Sequence, residues 1–175
     1  MFDRYTYRAR GSIFFARKLV SEYGSPMIET EHLLLGMLES DTSVIRLLLP
    51  SKTTEEIRAE VEKGIVRKPE IPINIHIPLS VEGEQILTFA SEEAGKLEHQ
   101  RIDIAHLVAG MLREQSGVAG KILRSAGLNL EAVRQHLRLG EAETETEWAC
   151  GTRTSATSQI RCRIRPFPDS TRRSF

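Results

Sequence analysis

The sequence predicts an all-α protein: a pseudo-twofold pair of four-helix repeats, about eight helices in all, followed by a charged tail. Three observations predict it. The stretch Thr30-Glu31-His32-Leu33-Leu34-Leu35-Gly36-Met37-Leu38 recurs as Ile104-Ala105-His106-Leu107-Val108-Ala109-Gly110-Met111-Leu112, with His, Leu, Gly, Met and Leu at matched positions. The apolar residues around it return at the 3.6-residue period of a helix. Breakers stand where those runs stop: Gly24 with Ser25-Pro26, Pro50, and Ala126-Gly127.

The repeat extends well beyond its signature. The shift from His32 to His106, 74 residues, also carries Thr6 onto Ser80, Ile13 onto Leu87, Ala16 onto Ala90, Val44 onto Val118, Leu48 onto Ile122 and Leu49 onto Leu123. The first copy then loses two residues, after which Ile57-Arg58 falls on Val133-Arg134 and Val61 on Leu137. A duplication of this length makes each copy one supersecondary unit.

In the first copy, residues 1–63, Tyr5, Ile13, Ala16, Leu19 and Val20 line one helix face, and Gly24 ends that helix. Thr30 is read as the N-cap of the second helix, with Glu31 in its first turn beside the positive end of the dipole. Gly36 and Gly110 lie inside helices at a cost of about 1 kcal/mol each against Ala, which close helix–helix packing explains. A short third helix, 44–49, stops at Pro50. The fourth, about 54–63, starts at Thr53 or Thr54 with Glu56 following.

Residues 64–78 form a connector in which Pro69, Pro72 and Pro78 forbid a helix. Ile71, Ile73, Ile75 and Ile77 alternate, so the reading is an extended segment whose isoleucines pack across the two copies. A short exposed β segment is the alternative, disfavoured by Pro72 and Pro78. The second copy, residues 79–139, repeats the plan: Ser80 caps a helix bearing Leu79, Ile86, Ala90, Ala94 and Leu97. Helices over 118–125 and 130–137 follow the signature helix. Leu33, Leu34, Met37, Leu107 and Met111 are read as core. Beyond residue 139 the period fades. Glu141, Glu143, Glu145 and Glu147 precede Arg153, Arg161, Arg163, Arg165, Arg172 and Arg173, so 140–175 is expected to be disordered or loosely docked.

Composition narrows the function. Lys plus Arg equals Asp plus Glu at 24 each, so the basic excess of a nucleic-acid-binding domain is absent. No apolar run reaches the length of a membrane span, and the N-terminus lacks the layout of a signal peptide. The expectation is a cytoplasmic protein with neither a nucleic-acid nor a membrane partner. The two cysteines, Cys150 and Cys162, form no disulfide framework and lack the ligand spacing of a zinc site. No GxSxG elbow, HExxH pair or P-loop is present. Glu92-Glu93 reads as a solvated helix face rather than a pair of catalytic carboxylates, because helix neighbours point apart. His32 and His106 read as core or cap residues. No enzyme, cofactor or metal is expected.

Phe2-Asp3-Arg4-Tyr5-Thr6, the stretch from Thr30 to Leu38 and the stretch from His106 to Leu112 resemble the Clp repeat domain, the N-terminal domain of the Clp/Hsp100 AAA+ unfoldases. The likeness covers about residues 1–138, both copies in order. It implies a pseudo-twofold pair of four-helix repeats that does no chemistry but docks adaptors and recruits unfolded or tagged clients. Without a P-loop, the implied protein is a stand-alone docking module whose partner is a Clp ATPase or Clp protease subunit, or a client. An accessory structural subunit of the Clp protease core is the alternative, and an enzyme a distant third. Some family members take arginine-phosphorylated clients through a hydroxyl at the start of the first helix and a Glu before the His of the second. Copy one has both, as Thr6 and Glu31. Copy two has Ser80 but Ala105, so the resemblance implies at most one such site. The plainer reading of Glu31 is a helix-dipole partner. The sequence does not fix the oligomeric state.

Overall fold

Eight helices follow one another among the described residues of the computed structural model, which are 3–49, 52–72 and 75–144. They are α1 Tyr7–Tyr23, α2 Thr30–Ser40, α3 Ser43–Leu48, α4 Thr54–Gly64, α5 Val81–Lys96, α6 Ile104–Arg113, α7 Val118–Ser125 and α8 Leu130–Thr144. No sheet accompanies them; two isolated parallel bridges, Tyr5 with Ile102 and Ile28 with Leu79, are the extended pairings found among these residues. Met1–Ala142 forms one compact unit and Glu143–Phe175 a second, of which only Glu143 and Thr144 are described.

Each copy is built on an antiparallel helix pair. In the first, the Ser40 hydroxyl at the end of α2 donates to the Arg8 carbonyl at the start of α1, 3.0 Å away. At the other end of α1, the Tyr23 ring lies 6.2 Å from that of His32. The signature glycines make this packing possible. A Cβ on Gly36 would overlap the Ser12 carbonyl oxygen and stand 2.6 Å from the Ala16 nitrogen. One on Gly110 would overlap the Ile86 carbonyl and stand 3.2 Å from the Ala90 nitrogen. Close packing is thus what the two helical glycines serve, and it recurs at equivalent backbone positions in both copies.

The core is aliphatic. Leu33, Leu34, Met37, Leu107 and Met111 are all buried, together with Val20, Ile45, Ile57, Ile86, Ile104, Leu123 and Val133. The start of α4 closes a capping box, with the Thr53 hydroxyl accepting from the Glu56 amide at 3.2 Å and the Glu56 carboxylate accepting from the Thr53 amide at 2.8 Å. Gly24, at φ 67°, ends α1 in the left-handed conformation that glycine adopts without a Cβ penalty.

Several expectations are corrected. The N-cap of α2 is Glu29; Thr30 is already helical, and its buried hydroxyl donates to the Glu31 carboxylate (2.9 Å) and accepts from the Ala119 amide of α7 (3.4 Å). The connector does not pack all its isoleucines between the copies. Ile77 is buried, but Ile75 is 48% exposed and Ile71 half-buried, while Ile73 lies outside the described residues. The connector instead runs along the end of α1, where the Lys68 and Ile71 amides donate to the Tyr23 and Ser21 carbonyls, both at 2.9 Å. Helical order also passes residue 139, since α8 continues to Thr144 on good helix formers such as Glu141 and Ala142. The rest of the expected tail, 145–175, with both cysteines, lies outside the described residues.

Glu93 is the sharpest departure. It is 1% exposed rather than part of a solvated face. Arg134 of α8 grips it with two nitrogens at 2.7 and 3.0 Å, and Lys96 and Arg113 approach at 3.0 and 3.2 Å. The Arg134 hydrogen bonds, opposed by desolvation and assisted by Lys96, pull its carboxyl down to about 2. Glu92 remains at the surface, paired with Arg113 at 2.7 Å. Three cations converging from α5, α6 and α8 are a tertiary feature that no local pattern displays.

Candidate functional site

Apart from the Glu93 cluster, polar groups of both copies meet at four helix starts, joined crosswise between the copies. At the start of α1, Thr6 is in extended conformation and its hydroxyl accepts from the Ala9 amide at 3.2 Å, the usual N-cap bond. The same hydroxyl donates to Asp103 Oδ1 at 2.6 Å, and Asp103 is the N-cap of α6 in the other copy. Backbone bonds reinforce the junction: the Thr6 amide donates to the Ile102 carbonyl (2.9 Å) and the Ile102 amide to the Arg4 carbonyl (2.7 Å).

The second junction is its counterpart. Ser80 caps α5 by accepting from the Gly83 amide at 3.1 Å. Its own amide donates to the Ile28 carbonyl at 2.9 Å, and the Ile28 amide donates to the Pro78 carbonyl at 2.8 Å. Ile28 leads directly into Glu29, Thr30 and Glu31 at the start of α2. Both histidines of the signature serve these starts. His32 Nδ1 accepts from the Glu29 amide at 3.2 Å, and His106 Nδ1 from the Asp103 amide at 3.0 Å. Burial lowers the affinity of both imidazoles for a proton, His106 to about 4 with help from His99. Each is therefore a neutral capping acceptor at pH 7, in keeping with the cap reading.

This geometry regroups the sequence-derived residues. Thr6 and Glu31 do not share a site. Helices α1 and α2 are antiparallel, so Thr6 stands at one end of α1 and the start of α2 at the other, a separation of roughly 25 Å for a 17-residue helix. Thr6 is grouped with Asp103 and the Ala105 turn; Ser80 is grouped with the turn that carries Glu29 and Glu31. Both junctions thus cross the pseudo-twofold through backbone bonds, and at the α1 start a hydroxyl–carboxylate bond, Thr6 to Asp103, is added. Glu29 and Asp103 were missed at the sequence level. Their signal was present: an acidic residue three positions before each signature His, the spacing of an N-cap and its N3 partner.

The two groups differ in charge and freedom. At the α1 start the Thr6 hydroxyl is committed on both sides, donating to Asp103 and accepting from Ala9. At the α5 start the carboxylates of Glu31 and Glu82 lie close enough to act on that of Glu29. Burial first, then Glu31 and Glu82, push the Glu29 carboxyl up, and Lys68 offsets part of that. An exposed apolar side chain flanks each group at equivalent positions, Tyr7 (84% exposed) after Thr6 and Val81 (67%) after Ser80. Among the described residues no cluster of three or more His, Cys, Asp and Glu could hold a metal ion, and no helix is long and apolar enough to cross a membrane.

Residues 78–161 match the model of the Clp repeat (R) N-terminal domain. The N-terminal domain of the caseinolytic protease associated chaperone ClpD from Arabidopsis thaliana superposes with a TM-score of 0.63 at 26% identity, covering 82% of this chain and 100% of that one. The chain contains a Clp repeat N-terminal domain. Among curated proteins, it is 32% identical over 160 residues to the negative regulator of genetic competence ClpC/MecB of Bacillus subtilis, covering 89% of this chain and 19% of that protein. It is 34% identical over 142 residues to the ATP-dependent Clp protease ATP-binding subunit ClpA homolog of Guillardia theta, covering 79% and 17%. The chain therefore spans less than a fifth of the length of these relatives. The N-domain of ClpV from Vibrio cholerae, at 17% identity and a TM-score of 0.66, shares the fold of this Clp repeat domain.

Proposed function

We propose that this Clp repeat domain is a non-catalytic docking module that presents client or adaptor proteins to a Clp ATPase or protease. The observation that carries the proposal is the acidic α5 junction, where Ser80 is tied to the α2 start bearing Glu29 and Glu31 and Val81 stands exposed beside it. A carboxylate pair beside an exposed apolar side chain suits a basic residue of an extended or unfolded chain, with Glu31 offering the charge-assisted contact to a guanidinium. Three carboxylates, Glu29, Glu31 and Glu82, make the same place unfavourable for a bound phosphate. The proposed ligand is therefore an unmodified arginine side chain rather than a phosphorylated one. The junction at Thr6 contributes less, because Ala105 stands where the carboxylate would be and Asp103 already holds the hydroxyl.

The kinship with ClpC/MecB and the ClpA homologues supports a Clp partner, and a sequence without a GxSxG elbow, HExxH pair or P-loop supports a non-enzymatic role. The test uses the full chain and two purified partners: a fluorescent unfolded polypeptide rich in arginine, and a Clp ATPase ring. Binding of the polypeptide that weakens tenfold or more in Glu31→Gln, about 1.4 kcal/mol, but holds in Thr6→Ala is the expected result. Tight binding to a Clp protease core with no polypeptide affinity would replace this reading with an accessory subunit. Binding to none of them would remove it.

A further inference from the structure

The loop Leu97–Asp103 between α5 and α6 carries the whole α1 junction. It supplies the Ile102 backbone that pairs with Arg4 and Thr6, and the Asp103 carboxylate that holds the Thr6 hydroxyl. The Arg4 guanidinium donates to the carbonyls of His99 (3.4 Å) and Gln100 (3.5 Å) in the same loop. The loop is anchored by the buried Ile102 and by the His99 amide, which donates to the Ala94 carbonyl at 2.9 Å, and an imidazole pair ties it to α6, with His99 Nδ1 2.8 Å from His106 Nε2 and the rings edge to face at 4.9 Å. The direction of that bond follows from its neighbour. His106 Nδ1 accepts the Asp103 amide hydrogen, so neutral His106 carries its proton on Nε2 and donates it to His99 Nδ1.

We propose that the His99–His106 bond is a proton-operated latch: a proton taken up by His99 breaks it and releases the Leu97–Asp103 loop from Arg4–Thr6, opening the α1 junction while the α5 junction stays closed. A proton on His99 Nδ1 sets N–H against N–H. The clash is relieved only if His106 also changes its protonated nitrogen and drops the Asp103 amide, or if the loop moves. His99 is half-buried and within reach of solvent, whereas His106 is buried. The charged groups facing the pair are Asp103 from the loop and Glu93 from α5, both favouring a charged His106, with Arg4 on the loop carbonyls. Burial outweighs the carboxylates and keeps His106 neutral near pH 7. Glu93 is itself neutralised by Arg134, Lys96 and Arg113. At the α5 junction the position equivalent to His99 is Ser25, which does not titrate, and its histidine, His32, is 0% exposed.

The molecule thus contains its own control. Hydrogen exchange of the full chain, followed by NMR from pH 7.5 to 5.5 and corrected for intrinsic exchange, reads both junctions at once. The Thr6 and Ile102 amides should lose protection as the pH falls, at a limiting slope of about tenfold per pH unit, that of a one-proton opening. The Ile28 and Ser80 amides should lose only the smaller part that follows the global decline in stability set by the two buried histidines. Equal loss at the two junctions, or loss at neither, overturns the latch. His99→Asn keeps an acceptor that does not titrate, so neutral-pH protection should persist and the acid response beyond that of the α5 junction vanish; an excess that survives overturns the proposal. Should that variant fail to fold, the wild-type histidine titration decides. The His99 and His106 ring signals must move in the same step as the Thr6 and Ile102 amides, and a His99 titration that leaves those amides unmoved overturns the latch.

Discussion

Copy one and copy two share a backbone plan but solve the same packing problem with opposite chemistry. Where the first helix of copy one places Leu19 against the core, α5 places Glu93. Where copy one pairs Arg58 of its fourth helix with Glu39 of its second, copy two has Arg134 and Arg113 at those positions, two cations facing the buried Glu93. Charge in copy one stays at the rim; in copy two it is drawn inward and neutralised by three partners. The fold tolerates either arrangement because the close approach of the helices depends on Gly36 and Gly110, not on the residues around them.

Breaking copy two at its charge should have the largest effect. Glu93→Ala leaves Arg134 and Arg113 facing an apolar gap, and unfolding in urea should show a loss of about 3–5 kcal/mol. Breaking copy one's own ion pair by Arg58→Ala, the counterpart of Arg134, removes an exposed pair and should cost less than about 1 kcal/mol. Glu93→Leu combined with Arg113→Glu rebuilds the copy-one arrangement and should recover most of the loss. If the double variant is no better than Glu93→Ala, the copies are not interchangeable at this layer.

Acid separates the copies next. His106 in the fold has its pKa lowered from 6.5 to about 4. The unfolded chain therefore binds the proton more readily, and stability is complete above pH 6.5 and lost as pH falls from 6.5 towards 4. That contribution is about 3 kcal/mol by linkage. His32 is lowered in the same direction by burial, so copy one shares this window. Glu93 acts lower: its stabilisation is present above pH 4.5 and lost between 4.5 and about 2. A titration of unfolding free energy should show a first decline below pH 6.5 in wild type and in Glu93→Gln alike, and a second, below pH 4.5, that is steeper in wild type, because Asp41 and Glu114 are lowered in both.

A smaller effect follows at the glycines. Gly36→Ala drives a methyl into the Ser12 carbonyl and against Ala16, and neither backbone can step aside, so a loss of about 1–3 kcal/mol is expected. Gly110→Ala meets the same Ile86 carbonyl overlap but more room at Ala90, and should lose less. Thermal unfolding of the two variants side by side ranks them; the reverse order would mean that α5 and α6, not α1 and α2, form the tighter pair.

Much of this was legible in the sequence. The five-position signature and its shift of 74 residues carried the helix count, the core stripe and the role of the glycines. Ser80 is readable as an N-cap because a hydroxyl ahead of an apolar run has one good use there. What was not legible was anything that crosses between copies. The pairing of Tyr5 with Ile102 and of Ile28 with Leu79 depends on how two units meet, and a repeat seen in sequence suggests that each unit completes its own site. The grouping of Thr6 with Glu31 that the resemblance implies within copy one therefore gives way to Thr6 with Asp103. Glu93 was misread for a related reason: its three cations come from three elements, two of them at long separation in the chain.

The finest difference between the copies lies at the ends of α1 and α5. Copy one ends its first helix on Gly24 at φ 67°; the equivalent residue in copy two is Glu98 at φ 60°. An L-residue with a side chain is strained in that left-handed region by about 1–2 kcal/mol, so Glu98→Gly should stabilise the domain by about 1 kcal/mol, partly offset by the greater freedom glycine gives the unfolded chain. The reverse exchange is not symmetric. A Cβ on Gly24 would overlap the Pro69 carbonyl and lie 2.8 Å from the Lys68 carbonyl carbon, so Gly24→Ala meets both strain and a steric clash with the connector. Melting curves for the two variants should therefore move in opposite directions. If Glu98→Gly failed to raise the midpoint, the left-handed residue in copy two would owe its place to contacts of the Glu98 side chain rather than to tolerance of strain.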